Sequence, residues 1–558
     1  MKSTFSIKYS ICNQLNKLAL FCILLVSTNS FAQKNTDVKS VDIVSAYRPK
    51  IGSLSKFQFI PTLPAADSAK LTTTSFASSY PQLPVYSVTS MRPLAYAADT
   101  ALVFNNRFYA KVGYGNLRSP HLKLFYNRVV GTKQGYQASF YHEGAKGKLP
   151  FQSYNQTRLS LDGFKQFSTA KVGAGVVMKR DNVYQYGFRK PLTTLPAPVA
   201  LKNIYSSLHF QLRAEPIQFP QSGIAYSGQF EGGFFFDQRS TQEKFVRASV
   251  PLEKKWNDKW SASMHLKLQQ TSLASPKQST LSNSLATANL LLSHWGRLVT
   301  LQAGAQPSVD RDGFAFLPQL RGVIKIDSAR LAIDGGVEGS VQFRSFESLY
   351  QENNWINLPS QLKNTRTTRF VLGAAGSFNS YLSYRIQTAW SRIENMPLFV
   401  NDTSSRTDGS SFHVLVEPRM KQFQLSGTLH YQIVNRFAIH STIAAASYSG
   451  LQQQRQAWGL LPLEWKTTLH VALLNKLSMD LESMVWKGAL FLQTDGKAGR
   501  SKGAADINTQ LVYNVHPSWQ IWTRFNNLFN QTYQRWNQYP VYGLNFMAGI
   551  VFSPEPKR

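Results

Sequence analysis

Apolar and polar residues alternate with a period of two along most of this chain, in roughly twenty short segments that run to the C-terminus. Between Lys421 and Gln432, Phe423, Leu425, Gly427, Leu429 and Tyr431 fall on one face, and Gln422, Gln424, Ser426, Thr428, His430 and Gln432 on the other. Successive strand side chains point to opposite faces, so this segment is oily on one side and wet on the other. Ala170, Val172, Ala174, Val176 and Met178 repeat the rhythm, as do Leu208, Phe210 and Leu212. Apolar residues sit two apart rather than three and four apart, which excludes helices as the principal element. A sandwich shows alternation over a few strands, whereas a closed barrel in lipid needs it throughout. The fold class read from the pattern is all-β, a transmembrane antiparallel β-barrel.

Turn lengths add a topology. Short connections are expected at Gly131 to Gln134, Asp327 to Arg330, Val434 to Arg436 and Leu474 to Lys476, and longer ones at Asp181 to Ala200, Arg344 to Arg366, Asn395 to Ser410 and Gln493 to Lys502. Outer-membrane barrels have short periplasmic turns and longer extracellular loops, and at about 20 residues per strand plus connection the chain holds about 22 strands, with 18–20 as the fallback.

Residues 1–32 read as an export signal: Lys2, Lys8 and Lys17 precede the apolar stretch Leu18 to Val26, and Ser30-Phe31-Ala32 offers small residues for cleavage before Gln33. That stretch falls well short of the ~20 residues a helical span requires. Both cysteines, Cys12 and Cys22, lie inside the signal, so the exported chain carries neither disulfides nor thiolate metal sites. Residues 33–105 differ from the rest of the chain: Pro49, Pro61, Pro64, Pro81, Pro84 and Pro93 punctuate stretches without a sustained period. They read as an extended periplasmic or lumen-entering arm. The barrel is assigned to 106–552 and a short tail to 553–558. The arm is short, and wrong in composition, for the globular plug that normally blocks so wide a barrel.

The C-terminal segment carries the most specific motif. Trp519 to Asn526 precede Asn527-Leu528-Phe529-Asn530; Tyr533, Trp536, Tyr539-Pro540 and Gly543 come next, and a last strand closes on Phe552. This resembles the end of TonB-dependent receptor barrels, and the chain resembles a Bacteroidetes group of such barrels that lack the plug. The resemblance implies localisation in the Gram-negative outer membrane, transport of a solute across it, and recognition of the aromatic-ended last strand by the barrel-assembly machinery. Here Ser553 to Arg558 extend beyond Phe552, a departure from that pattern. Near the start, Val41-Asp42-Ile43-Val44 resembles a TonB box, which adds as a strand to an inner-membrane energy-coupling partner. A β-prone linker explains the same residues.

The net charge is +31, of which +3 falls in the signal. It suits outer-membrane lipid and lipopolysaccharide phosphates, or simply solvated loops; nucleic acid is not an expected partner. Lys146, Lys148, Arg189, Lys190, Lys497, Arg500 and Lys502 are the loop cations concerned. Tyr184, Tyr186, Phe188, Trp519, Trp522, Tyr533 and Trp536 are read as interfacial girdle residues, with a sugar-binding platform as the rival. No phosphate-binding loop, nucleophile elbow or H-E-x-x-H helix occurs. His142-Glu143 reads as a rim or loop pair, and His209, His430 and His440 as lumen-facing. No cofactor, metal or catalytic residue is assigned. The rivals to transport are a scaffold barrel for an envelope complex and, more remotely, a barrel-embedded hydrolase.

Overall fold

The computed structural model describes residues 108–130, 133–188, 201–217, 223–327, 331–379, 381–402, 409–433 and 436–554. The signal, the arm with its Val41–Val44 stretch, Arg189, Lys190 and the end of the tail lie outside the described residues.

Each strand pairs antiparallel with its neighbour in sequence, from Phe108–Gly115 round to Asn545–Phe552, and the last pairs with the first to close the ring. Ile224–Tyr226 and Gly228–Asp237 both pair with Gln242–Lys255 and form one stave broken at Ser227, so the barrel has 22 staves. Two small hairpins, Leu490–Leu492 with Ala498–Arg500 and Gln534–Trp536 with Tyr539–Pro540, lie outside the ring. The alternation has the inside-out sense expected in lipid. On the strand Ser411–Ile433, Phe423 and Leu425 are 39% and 46% exposed while Gln424 is 4% exposed. A soluble barrel would reverse these faces. Tyr114, Phe314, Phe316 and Phe546 on one rim, and Trp256, Trp260, Trp295 and Trp519 on the other, are exposed as two aromatic belts. No described helix is long and apolar enough to cross a membrane; strands do the crossing.

The long connections 343–364, 450–462, 488–503 and 527–544 all leave one rim, and the opposite rim carries short turns such as 167–169, 296–298 and 475–476. Within the segment from Asn395 to Ser410, expected to be a loop, Asn395 to Asp402 is instead strand. Leu382–Asp402 and Ser411–Ile433 pair along their whole length and are 21 and 23 residues long. A tilted strand needs only ~9–11 residues to cross, so this hairpin rises above the rim. Met396, Leu398, Val400 and Met420 on it are buried against Ala457 and Trp458. That packing holds as strand what Pro397, Asn395 and Asn401 make look like a turn.

The ring closes on an aromatic wedge. Trp522, Gly549 and Gly113 lie in register across three adjacent staves. The Trp522 indole is fully buried over them, with the Lys111 ammonium 4.4 Å from its centre and the His121 ring 5.4 Å away. Beside it, Glu143 takes hydrogen bonds from the hydroxyls of Tyr141 (2.7 Å) and Tyr154 (3.0 Å) and lies 2.9 Å from His121 Nδ1. His142-Glu143 is thus a pair on a strand near the loop rim and not a loop pair. Both residues belong to the strand Gln134–Lys146, so their side chains diverge: Glu143 is buried, and His142 bonds the Thr157 hydroxyl at 3.0 Å.

Candidate functional site

Two inward-folded connections assemble a cap across the mouth of the loop rim. The first, 343–364, leaves Leu331–Gln342 and returns in Thr365–Ser377. It contains the only helix that lies wholly within the described residues, α1 (Phe346–Glu352). Phe346, Leu349 and Tyr350 share one side at helical spacing. Ser345 caps the start, its hydroxyl accepting from the Ser348 N–H (3.1 Å) while the Ser348 hydroxyl accepts from the Ser345 N–H (2.9 Å). The far wall supplies what the first turn still lacks. Glu243, fully buried, accepts the N–H groups of Phe346 and Glu347 at 2.8 Å each, and the Thr271 hydroxyl at 2.8 Å. Helix ends leave N–H groups unpaired, and a carboxylate is the strongest acceptor for them.

The apolar side of α1 packs on that same wall. The Tyr350 and Tyr205 rings are 4.1 Å apart, and Phe346 meets Phe235 at 5.6 Å. His209 stands between wall and helix, Nδ1 3.0 Å from Glu231 Oε1 and Nε2 3.0 Å from Glu347 Oε1. The connection is tied to its own staves by Arg344, which is buried, ion-paired with Glu352 and bonded through Nε to the Thr365 hydroxyl at 2.9 Å. Asn364 Oδ1 accepts from Asn283 Nδ2 (2.7 Å) and the Arg344 N–H (3.1 Å). Contacts to both sides of the ring require the connection to cross the lumen.

The second connection, 527–544, meets it there. Asn527 and Asn530 adopt the left-handed backbone conformation, with φ of 52° and 50°, which asparagine tolerates better than most residues. Asn527 Nδ2 donates to the carbonyls of Gln531 and Tyr542 at 2.8 Å each, and Asn530 Oδ1 accepts the Leu544 N–H at 2.9 Å. A Cβ at Gly543 would lie 2.6 Å from that Asn530 oxygen. The motif therefore shapes the loop that carries Tyr533, Trp536 and Tyr539 inward. Tyr539 stacks on Trp355 at 3.8 Å, meets Tyr186 at 4.9 Å and donates its hydroxyl to the Ser410 carbonyl. The Pro540 carbonyl accepts from Gln152 Nε2 and the Tyr186 hydroxyl, both at 3.0 Å. Trp536 packs on Phe399 and Phe412 of the tall hairpin, and the Tyr533 hydroxyl donates to Asp506. Burial raises the Tyr186 and Tyr533 hydroxyls well above the usual phenol range, so both stay protonated donors at neutral pH.

A third connection, 450–462, is held beside the cap by the same device. Fully buried Glu417 accepts the N–H groups of Gln452 (2.6 Å), Gln453 (3.1 Å) and Gln454 (2.8 Å).

Most of the expected girdle aromatics thus have another place. Tyr186, Tyr533 and Trp536 are buried in the cap, and Trp522 is buried in the wall, because it lies three residues from Trp519 and so faces the other way. Trp519 is exposed on the outer wall, and Tyr184 and Phe188 are half-buried around Phe151. Leu528 and Phe529 are exposed, and Phe552 ends the last strand beside Trp519 and Phe108. His430 and His440 face each other across neighbouring staves, rings 6.1 Å apart. Lys146, Lys148, Lys497, Arg500 and Lys502 are exposed, with Lys497 3.6 Å from Asp495. Among the described residues no group of three or more His, Cys, Asp or Glu is placed to hold a metal ion. Glu243, Glu347, Glu417 and Trp355 carry no sign of their roles in the sequence. The Phe346/Leu349/Tyr350 spacing in an otherwise two-residue rhythm is the one local mark of the helix.

No family model matches the chain, and no curated protein matches it. Its fold is found among solved structures. The FrpB iron transporter from Neisseria meningitidis is 9% identical with a TM-score of 0.63, covering 80% of this chain and 81% of that one. The siderophore receptor PirA from Acinetobacter baumannii is 10% identical with a TM-score of 0.62, over 80% and 79%. The ferric enterobactin receptor PfeA from Pseudomonas aeruginosa, as a mutant in complex with enterobactin, is 9% identical with a TM-score of 0.59, over 80% of each chain. The barrel is similar in fold to those of TonB-dependent receptors.

Proposed function

We propose that this chain is an outer-membrane barrel that passes a solute across the outer membrane and is shut on its extracellular side by the cap. The observation that carries the reading is a wide, polar-walled lumen whose mouth is crossed by loops rather than left open. A lumen lined by Gln156, Asn203, Thr271, Asn283, Asn508 and Gln510, all buried, suits a hydrated path. The loops that cover it are fastened at discrete points, as a gate requires. The likeness to an iron transporter and siderophore receptors fits transport without naming the solute. Planar-bilayer recording tests this. The intact protein is expected to conduct poorly, and replacing 343–364 by a short Gly/Ser linker is expected to raise conductance severalfold, further when residues 33–105 are also removed. A barrel silent in all three forms refutes transport and leaves the scaffold role.

On this reading the loop rim faces lipopolysaccharide, Phe552 is the signal to the assembly machinery, and Val41–Val44 is the strand offered to TonB or another periplasmic partner. Pull-down with the periplasmic domain of TonB is expected to retain the intact chain and to lose it with Val41→Pro and Ile43→Pro together, since proline removes a ladder donor. Equal retention of both forms would reject the box.

A further inference from the structure

We infer that His209 is a proton-operated latch for the cap, an inference that rests on the gating role proposed above. Both ring nitrogens lie 3.0 Å from a carboxylate oxygen, Nδ1 from Glu231 on the neighbouring stave and Nε2 from Glu347 on α1. A neutral imidazole has one N–H and one lone pair, so it can satisfy only one of two carboxylates; the imidazolium has two N–H groups and satisfies both. In the protonated state the ring bridges wall and helix. In the neutral state one carboxylate faces a nitrogen lone pair, and the bridge breaks.

The surroundings make Glu347 the side that lets go. Glu231 keeps a second partner on the wall, Arg247, whose Nη1 is 3.3 Å from Glu231 Oε2. Glu347 is buried on the helix and, among the described residues, has only the Gln351 amide, 3.5 Å away, as another donor to the same oxygen. Phe245 closes over the imidazole at 4.7 Å. Lys179, on the adjoining stave Ala170–Tyr184, is the cation near the ring. Glu243, on the stave beyond Glu231, holds the first N–H groups of the same helix. Three carboxylates therefore converge on one end of α1, and His209 is the ring set directly between two of them. An unperturbed imidazole titrates near pH 6.5. The latch is engaged below its titration and released as pH rises through it.

Amide hydrogen exchange of the full-length protein in detergent, from pH 5.5 to 8.5 and corrected for intrinsic exchange, reads the latch without requiring conductance. Protection of residues 346–357 is expected to fall severalfold across the range, because only the imidazolium holds both carboxylates. Protection of 451–456, held by Glu417, should stay level. Glu347→Gln should keep α1 protected at every pH, because a neutral ring can donate to Glu231 and accept from the Gln amide. His209→Gln should leave α1 less protected, again without pH dependence. A flat wild-type profile overturns the latch, as does an unchanged slope in either variant. A sloping profile in a barrel that never conducts would keep the latch and refute transport.

Discussion

Glu243→Ala is expected to undock the cap while leaving the barrel intact. The substitution strips the acceptor from two N–H groups of α1 and a partner from Thr271, all at a fully buried position. Water reaches such donors only if the helix leaves the wall. Each buried group left unpaired costs about 1–3 kcal/mol, and the loss of a charged acceptor lies at the upper end, so about 3–5 kcal/mol is withdrawn from docking. A connection fastened by a few such contacts cannot retain its place after that loss. Limited proteolysis should cut within 343–364 in the variant and spare the wild type, and both should keep the heat-dependent gel mobility of a closed barrel. Glu243→Gln, which retains one acceptor oxygen, should fall between them. A variant as protease-resistant as the wild type would mean that the aromatic packing of Phe346, Tyr350 and Trp355 suffices by itself.

The second large effect is expected at the seam. A Cβ at Gly113 would lie 2.3 Å from Trp522 Cζ2 and 2.9 Å from the Ala548 carbonyl oxygen. The ring cannot swing away cheaply, because it is enclosed by Lys111, Arg524 and His121. Gly113→Val therefore opposes the pairing of first and last strands, and that pairing closes the barrel. Overpacking costs about 1–3 kcal/mol where the backbone can adjust, and the ladder here leaves little adjustment. Refolding into detergent should give a small fraction of heat-modifiable protein on semi-native gels. Trp522→Ala alone should lower stability by about 3–5 kcal/mol through the void it leaves. Combined with Gly113→Val, it should recover part of the folded yield lost in Gly113→Val alone, since the clash with the indole has gone and only the Ala548 carbonyl contact remains. Full folding of Gly113→Val would show that the indole is not wedged against that strand.

The cap and the seam use opposite kinds of interaction for opposite purposes. Glycine faces a buried indole at the seam, a shape match with no alternative arrangement. In the cap, buried carboxylates hold backbone N–H groups that water could equally satisfy. The first suits a joint that stays closed; the second suits the gating role proposed above.

Much of the barrel was legible along the chain. Phe423 and Leu425 point outward and Gln424 inward as their alternation requires, and the long connections share one rim as their lengths suggested. The misplacements have a common origin. Asn395 to Ser410 read as one of the longer connections, while Met396, Leu398 and Val400 are strand because Trp458 and Ala457 cover them. Trp522, Tyr533 and Trp536 read as girdle aromatics because a sequence shows that a side chain is aromatic but not which way its loop folds. The C-terminal motif was visible as a motif, yet its work in bending 527–544 into the lumen depends on Asn527, Asn530 and Gly543 meeting in space.

Local pattern was enough for the period, the outward face of segments such as 170–178 and 421–432, the approximate strand number and the rim from which long loops leave. All of these arise from neighbours one or two residues apart, where the pleat ties side-chain direction to position. That the mouth is covered, and by what, is settled by contacts made across the folded ring. Trp355 on Tyr539, Glu243 on α1 and Glu417 on 452–454 join residues far apart in the chain, and no local rhythm encodes a contact that exists only once the ring has closed.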